Sequence, residues 1–224
     1  MTNPITELGG EILAFLNWGD ITPYFTQVTI PAFLIVVSLT ILFALSKPER
    51  QIELIFGKDD HKEAEIVGKE LRFRRFMSII CGIATAWAMI TGDIFNYTLS
   101  LALIGITNIG IVASVEKGHV LEAAFQYGLM IMLASIPLFG SAALVLGTTG
   151  TLSMHLLAQI SVGGFAPLML MMGVVGEVGI APFYAAKAEL FRAPGAPYII
   201  MIHVSSLMVI VRSVEVLLIL IGGG

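Results

Sequence analysis

Residues 173–182 read GVVGEVGIAP and place one glutamate, Glu177, inside a long run of apolar residues. A bare carboxylate is costly to bury in apolar surroundings unless it is paired or protonated. Pro182 follows five residues later, and a proline removes a backbone donor and clashes with the preceding helical turn. Gly176 and Gly179 flank the acid. The stretch therefore predicts a helix that is broken beside a buried carboxyl group, with room for water at the two glycines.

The composition of the whole chain is that of an integral membrane protein. Of the 224 residues, 57% are hydrophobic and only 12% are charged, and the mean hydropathy is +0.92. Soluble domains carry about 25% charged residues, so a soluble chain could not hide this much apolar surface. The one cysteine, Cys81, can make neither an internal disulfide nor a four-cysteine iron–sulfur site.

Several stretches approach the length of about 20 apolar residues that a helix needs to cross the bilayer. They lie at 28–46, 76–92, 94–115, 120–147, 156–184 and 196–221. The fifth contains Glu177, with Pro167 and Pro182 as helix breakers. We therefore predict an all-α integral membrane protein of about six transmembrane helices. Residues 1–27 are too short and too polar to span, and they form either an N-terminal interfacial segment or plain loop.

Positive charge is confined to one side of the predicted bundle. Eight of the twelve Lys and Arg residues lie between Lys47 and Arg75. With the N-terminus outside, the inner loops hold eleven of the twelve, and the exception is Arg212. Because cytoplasmic loops are rich in Lys and Arg, we expect both termini outside the plasma membrane. Residues 47–75 are expected to be a charged cytoplasmic loop with one or two short helices, which fixes the topology or docks a soluble partner.

Ionisable residues inside predicted spans usually serve a function. At a rise of 1.5 Å per residue, Glu177 and His203 lie roughly 13 Å and 10 Å from the inner ends of consecutive antiparallel helices. Their similar depth predicts a proton relay, direct or through water; alternatively, a neutral Glu177 joins two helices by hydrogen bonding. Arg212 and Glu215 lie within reach of each other. They form either an anchor near the outer headgroups or the far end of the relay.

The span 94–115 carries a stripe of small and polar residues on one face. At 100° per residue, the following positions share a direction: Asn96, Ser100, Thr107, Gly110 and Ser114. Either the stripe packs tightly against another helix, or Asn96, Ser100 and Thr107 line a hydrated path. No spacing of histidines and carboxylates along the sequence suggests a metal site.

Several motifs occur in an order that resembles a known family. They are GDIFNYTLSLALIGITNIGIVAS (92–114), EAAFQYGLMIMLAS (122–135), TGTL (149–152), GEVGIAP (176–182), APGAP (193–197) and His203. Their spacing over residues 76–215 is similar to that of the antiporter-like membrane subunits of respiratory complex I, multisubunit cation/proton antiporters and energy-converting [NiFe] hydrogenases. Those subunits contain two inverted five-helix repeats. Residues 76–224 resemble one repeat, preceded by one extra helix at 28–46, and look most like the short antiporter-like membrane component of the methanogen energy-converting hydrogenase A.

Some of the residues that handle protons in this family are changed here. The family's glutamate on the helix after the DLFN-like motif is matched by Ala102, and the lysine often found in the EAAFKY-like stretch is matched by Gln126. The lysine before the proline of the broken helix is matched by Glu177, and the histidine of the following helix by His203. The resemblance thus implies one central protonatable group in place of the usual Glu–Lys pair.

The resemblance implies a membrane subunit of an energy-converting [NiFe] hydrogenase complex, which couples H⁺ or Na⁺ translocation to ferredoxin reduction with H₂. The chain itself is expected to hold no cofactor, with the [NiFe] centre and iron–sulfur clusters in partner subunits. Expected partners are other membrane subunits, a peripheral [NiFe] hydrogenase module and the lipid bilayer, and no nucleic acid. The alternatives are a subunit of a multisubunit cation/proton antiporter and a structural anchor that moves no ions, which the changes at Ala102 and Gln126 favour.

Overall fold

The structure is a computed structural model that describes residues 14–15, 23–48, 50–54, 61–115, 117–191 and 198–222. Over these residues the membrane body is helical. Its helices are α1 (Thr29–Leu45), α2 (Gly68–Ile90), α3 (Ile94–Ala113), α4 (Gly118–Thr149), α5 (Met154–Leu157), α6 (Phe165–Val178), α7 (Tyr184–Phe191) and α8 (Tyr198–Gly222). The four helices α2, α3, α4 and α8 are long and apolar enough to cross a membrane, whereas α1 and α6 are shorter apolar helices. The chain is a multi-pass membrane protein.

Two pairs of short antiparallel strands accompany the helices. Strand β1 (Ala14–Phe15) pairs with β2 (Tyr24–Phe25), and β3 (Arg50–Leu54) pairs with β4 (His61–Glu65). The second strand pair lies within the segment 47–75, where the sequence predicted one or two short helices. That prediction is wrong for the two strands, and only the end of the segment, from Gly68, is helical. Polar and apolar residues alternate in QIEL, the last four residues of β3, which is the period of a strand. Most of the predicted interfacial segment 1–27 lies outside the described residues.

The charged loop is also shorter than predicted, because α2 begins at Gly68 and not at residue 76. Its first turns carry an ion pair between Glu70 Oε1 and Arg74 Nη1, 3.2 Å apart and one helical turn along the chain. Arg74 is buried, and its Nε donates to Ser114 Oγ at 3.0 Å. These contacts fix the start of α2 against the end of α3.

The long helices pack in chain order. Helix α1 packs on α2, α2 on α3, α3 on α4, and α4 on α6, while α8 lies against both α2 and α6. The outward faces are apolar, with Ile106, Met132 and Ile221 each more than half exposed. Such an apolar surface is suited to lipid or to the helices of partner subunits. The bundle therefore has an interior, between α2, α3, α4, α6 and α8, that can hold polar groups away from lipid.

The predicted fifth span, 156–184, holds the end of α5, all of α6 and the turn that precedes α7, and α7 itself lies in the predicted inner loop. Helix α6 ends at Gly179, whose φ of 74° is left-handed and whose N–H donates to Val175 O at 3.1 Å. Glycine is the usual residue for this helix ending. Pro182 follows inside the turn between α6 and α7. Pro167, expected to break a helix, lies in the first turn of α6, where a proline is tolerated.

Candidate functional site

Glu177 lies in the last turn of α6 and points its carboxylate at α3. The residue is 2% exposed. A Cβ atom on Gly105 of α3 would lie only 2.9 Å and 3.0 Å from the two carboxylate oxygens, so this glycine makes the space that they occupy. No described residue donates a hydrogen bond to either oxygen. A buried carboxylate without donors is costly, and such groups usually have a function.

Lys187 of α7 carries a buried ammonium group that contacts Glu177, and it was not predicted as a site residue. The sequence assigned it only to an inner loop, yet it is 3% exposed. Its Nζ donates to the backbone oxygen of Glu177 at 3.1 Å and to Ser206 Oγ of α8 at 2.6 Å, and it lies 5.6 Å from the centre of the Tyr127 ring. It also acts electrostatically on the Glu177 carboxylate.

The break in the helix explains why the Lys187 ammonium lies at the end of α6, against the backbone carbonyl of Glu177. The last carbonyls of a helix lack intrahelical donors and carry partial negative charge. The Glu177 carbonyl receives hydrogen bonds from Lys187 Nζ and, at 3.5 Å, from the Tyr127 hydroxyl. A buried carboxylate and a buried ammonium can exist as a charged pair or, after proton transfer, as a neutral pair. The site can therefore store a proton in the interior of the bundle.

The glycines beside Glu177 permit close packing. A Cβ on Gly176 would lie 2.7 Å from Ala134 Cβ of α4, and one on Gly179 would lie 2.6 Å from Lys187 Cδ. The sequence predicted room for water at both positions, but side chains fill the space there. Gly179 instead allows the stem of Lys187 to cross the end of α6 and reach the Glu177 carbonyl.

His203 of α8 does not hydrogen-bond the Glu177 carboxylate, and its side chain is exposed on the surface of the chain. Ser206, which receives the Lys187 hydrogen bond, lies one helical turn after His203. The Ser206 hydroxyl donates in turn to Ile202 O at 2.7 Å. The direct contact of the predicted relay is therefore absent from the structure, and transfer through water stays a prediction.

Arg212 and Glu215 form a buried ion pair between Arg212 Nη1 and Glu215 Oε2. Arg212 Nη2 also donates to the backbone oxygen of Thr91 at 2.7 Å, at the carboxyl end of α2. Both residues are less than a tenth exposed, so the pair is not an exposed anchor among headgroups. It joins α8 to α2 inside the bundle. Nearby, the Tyr97 hydroxyl and Ser213 Oγ are 2.7 Å apart.

The polar side chains of the α3 stripe mainly pack inside the bundle, and their hydroxyls donate hydrogen bonds to backbone carbonyls of their own helix. Ser100 Oγ donates to Asn96 O at 2.7 Å, and Thr107 Oγ1 donates to Ile104 O at 2.8 Å. Asn108, next to the stripe, was not singled out from the sequence, yet it is fully buried and its Nδ2 has no partner among the described residues. The sequence did hold a signal for this residue, since Asn108 is an amide side chain in the middle of an uncharged span.

Comparisons with known proteins identify the family of this chain. A family model described as "NADH dehydrogenase I, subunit N related protein" matches residues 4–220. An uncharacterized protein of Methanocaldococcus jannaschii is 50% identical over 215 residues, which cover 96% of this chain and 99% of that protein.

A solved structure supports the same relation at the level of the fold. A chain of respiratory complex I from Thermus thermophilus, in a structure with bound Aureothin, matches with a TM-score of 0.53 at 16% identity. The match covers 83% of this chain but 47% of that one, so the present chain spans about half the length of its structural relative. The predicted relation to complex I membrane subunits is thus confirmed, and the chain belongs to the family of proteins related to subunit N of NADH dehydrogenase I.

Proposed function

We propose that this chain is a membrane subunit of an ion-translocating oxidoreductase complex, in which Glu177 and Lys187 hold and pass on a proton. The observation that carries the proposal is a carboxylate, buried without a hydrogen-bond donor among the described residues, beside a buried ammonium at a helix break. Intramembrane ionisable groups mark ion pathways, and transporters use broken helices to present charged groups and carbonyls. The family relation to complex I supports this assignment.

The contacts of Lys187 suggest the direction in which a proton can leave the site. Lys187 Nζ donates to Ser206 Oγ, and Ser206 lies one turn from His203 on α8. Since His203 is exposed on the chain, it can exchange protons with a partner subunit or with water. The sequence predicted a direct or water-mediated relay between Glu177 and His203, and we propose instead that it runs through Lys187 and Ser206. The Ser206 hydroxyl donates to Ile202 O at 2.7 Å, so it must turn toward His203 to pass the proton on.

We further propose that the complex is an energy-converting [NiFe] hydrogenase, in which H⁺ or Na⁺ flow drives ferredoxin reduction with H₂. The order of the motifs, which resembles that of such hydrogenase subunits, and the fold shared with a complex I chain support this proposal. The [NiFe] and iron–sulfur clusters would belong to partner subunits. The second candidate function is an anchor that moves no ions. It is favoured by Gln126, which is exposed, and by Ala102, which supplies no charge to the site.

The subunits that co-purify with this chain distinguish a hydrogenase complex from a cation/proton antiporter. Purification of the tagged chain from its native membranes in a mild detergent, followed by mass spectrometry, is expected to yield a [NiFe] large subunit and iron–sulfur proteins. A chain tagged at the same end but carrying a disrupted helix α8 serves as the control for nonspecific recovery. Recovery of antiporter-type subunits alone would contradict the hydrogenase assignment and support a cation/proton antiporter.

Gly105→Ala is expected to lower ion-driven turnover of the complex about fivefold or more, because misplaced reacting groups lose rate steeply. The new Cβ would lie 2.7 Å from Ile131 Cγ2 and 2.9 Å and 3.0 Å from the carboxylate oxygens, so both the Ile131 side chain and the carboxylate must move. The matched control is Gly147→Ala on α4, where nothing lies within 4 Å of the added Cβ. Turnover is measured in membrane vesicles with equal amounts of assembled complex. Equal turnover in both variants would show that the position of the carboxylate is unimportant.

A further inference from the structure

A groove opens between the first turns of α2 and the end of α3, and its lining residues take no part in the Glu177 site. Its volume is about 520 Å³, which is in the range of small-molecule binding sites. Four exposed side chains of α2 line it at the spacing of one helical face, namely Lys69, Arg72, Phe73 and Phe76. Helix α3 contributes the small residues Ala113 and Ser114 at its end.

The charge of the groove is positive. Glu70 also lines it, but its carboxylate pairs with Arg74 at 3.2 Å. Within the described part of the chain, Arg72 makes one hydrogen bond, from Nε to Gly68 O at 3.3 Å. A guanidinium has five N–H donors, so the Nη groups of Arg72 can bind a further acceptor. Since the acid of the groove is engaged by Arg74, Lys69 and Arg72 give the groove a net positive charge.

The groove crosses the level at which the hydrocarbon of a bilayer meets its headgroups. Helix α2 has 23 residues and is therefore about 34 Å long, whereas the hydrocarbon is about 30 Å thick. The charged first turns of α2, with Lys69 and Arg72, therefore lie among the headgroups. Phe73 and Phe76 lie farther along the helix and are 42% and 56% exposed. Their rings face the hydrocarbon.

We propose that the groove binds an anionic phospholipid, whose phosphate is held by Arg72 and Lys69 and whose acyl chain lies over Phe73 and Phe76. Arginine binds phosphate through parallel N–H donors, and basic pockets between membrane helices bind acidic headgroups. The side chain at the N-cap of α2 makes no capping hydrogen bond, so the positive end of this helix adds to the attraction.

A phospholipid fits both halves of the groove, whereas a protein partner fits only one of them. A soluble protein could supply acidic groups to the two cations, but it would not reach rings that face the hydrocarbon. An apolar helix of a membrane subunit could cover the rings, but it would bury the cations without a counter-charge, which is costly. The lipid supplies a negative charge and an apolar chain at the matching depths. This site does not depend on ion transfer, because it shares no residue with the Glu177 site.

The lipid selectivity of the purified chain tests this site. The full chain is freed of native lipid in a mild detergent and titrated with phosphatidylglycerol or phosphatidylcholine of identical acyl chains, and bound lipid is measured by native mass spectrometry. We expect phosphatidylglycerol to bind at least about tenfold more tightly, because each cation near the membrane surface favours an anionic headgroup. Equal affinities for the two lipids would overturn the proposal. Inorganic phosphate should displace the lipid only weakly, and displacement as effective as that by phosphatidylglycerol would also overturn it.

A double variant assigns the selectivity to the groove. Lys69→Gln with Arg72→Gln should weaken phosphatidylglycerol binding at least about tenfold and leave phosphatidylcholine binding within about twofold. The matched control is Lys47→Gln, at an exposed lysine after α1 that does not line the groove, and it should keep the selectivity of the parent. Unchanged phosphatidylglycerol binding in the double variant, or an equal loss in the control, would overturn the proposal.

The unfolding temperature of the lipid-free protein shows that the variants are folded. The hydrogen bond of Arg72 lies within its own helix, so we expect its replacement to leave this temperature unchanged when no lipid is bound. Added phosphatidylglycerol should raise the temperature of the parent and of Lys47→Gln but not that of the double variant, because only a ligand that binds the folded state stabilises it. If the double variant does not fold, the comparison of the two lipids on the parent chain still decides.

Discussion

Glu177→Gln is expected to lower ion-driven turnover of the assembled complex at least about tenfold, because the amide cannot hold and release the proton that the carboxylate transfers. The change preserves the shape of the side chain and therefore the packing against Gly105. It also leaves the backbone oxygen of Glu177 available to Lys187 and Tyr127. We therefore expect the loss in ion coupling and not in assembly.

The measurement compares two activities of membrane vesicles that contain the variant complex. One is the reduction of a low-potential carrier with H₂ driven by an imposed ion gradient, and the other is H₂ oxidation with an artificial dye, which needs no gradient. Only the gradient-driven reduction should fall in the variant. The matched control is Glu122→Gln, the same change at an exposed position of α4. Normal gradient-driven turnover in Glu177→Gln would refute proton transfer at this site and favour the structural anchor.

Arg212→Met is expected to destabilise the chain by about 3–5 kcal/mol, because it leaves the Glu215 carboxylate buried without its cation. The variant also loses the hydrogen bond from Arg212 to Thr91 O that joins α8 to α2. The effect is measured as a lower thermal unfolding temperature of the detergent-purified protein. Arg72→Met, at an exposed arginine of α2, is the control and should unfold at the parent temperature.

A double variant separates structure from ion transfer at this pair. Replacing both Arg212 and Glu215 by Met removes both charges together, and such exchanges are often neutral or stabilising. If the pair only joins α8 to α2, the double variant should recover most of the stability and retain ion-driven turnover. If it belongs to the ion path, stability should return without turnover. A single Arg212→Met variant as stable as the parent would contradict the buried ion pair.

The sequence by itself determined the class of the protein, the positions of the long apolar helices and the central acid. These features depend on local properties, since a membrane helix needs about 20 apolar residues and must satisfy its backbone groups within itself. For the same reason the interruption near Glu177 could be read from a glycine and a proline. The pairing of β3 with β4 was missed because these short strands are rich in charged residues. The start of α2 was missed because charged helical turns do not differ from a charged loop in hydropathy.

The tertiary structure alone decided which groups surround the acid. Lys187 is ten residues beyond Glu177 and separated from it by a turn, so only the path of the chain at Gly179 brings its ammonium to the end of α6. Gly105 and Asn108 come from α3, and nothing in their local sequence says which helix they face. Likewise, the burial of Arg212 follows from the position of Thr91 at the end of α2. Hydropathy reports how apolar a segment is. The partner of each buried polar group depends instead on the rotation and depth of neighbouring helices, and packing between distant segments sets both.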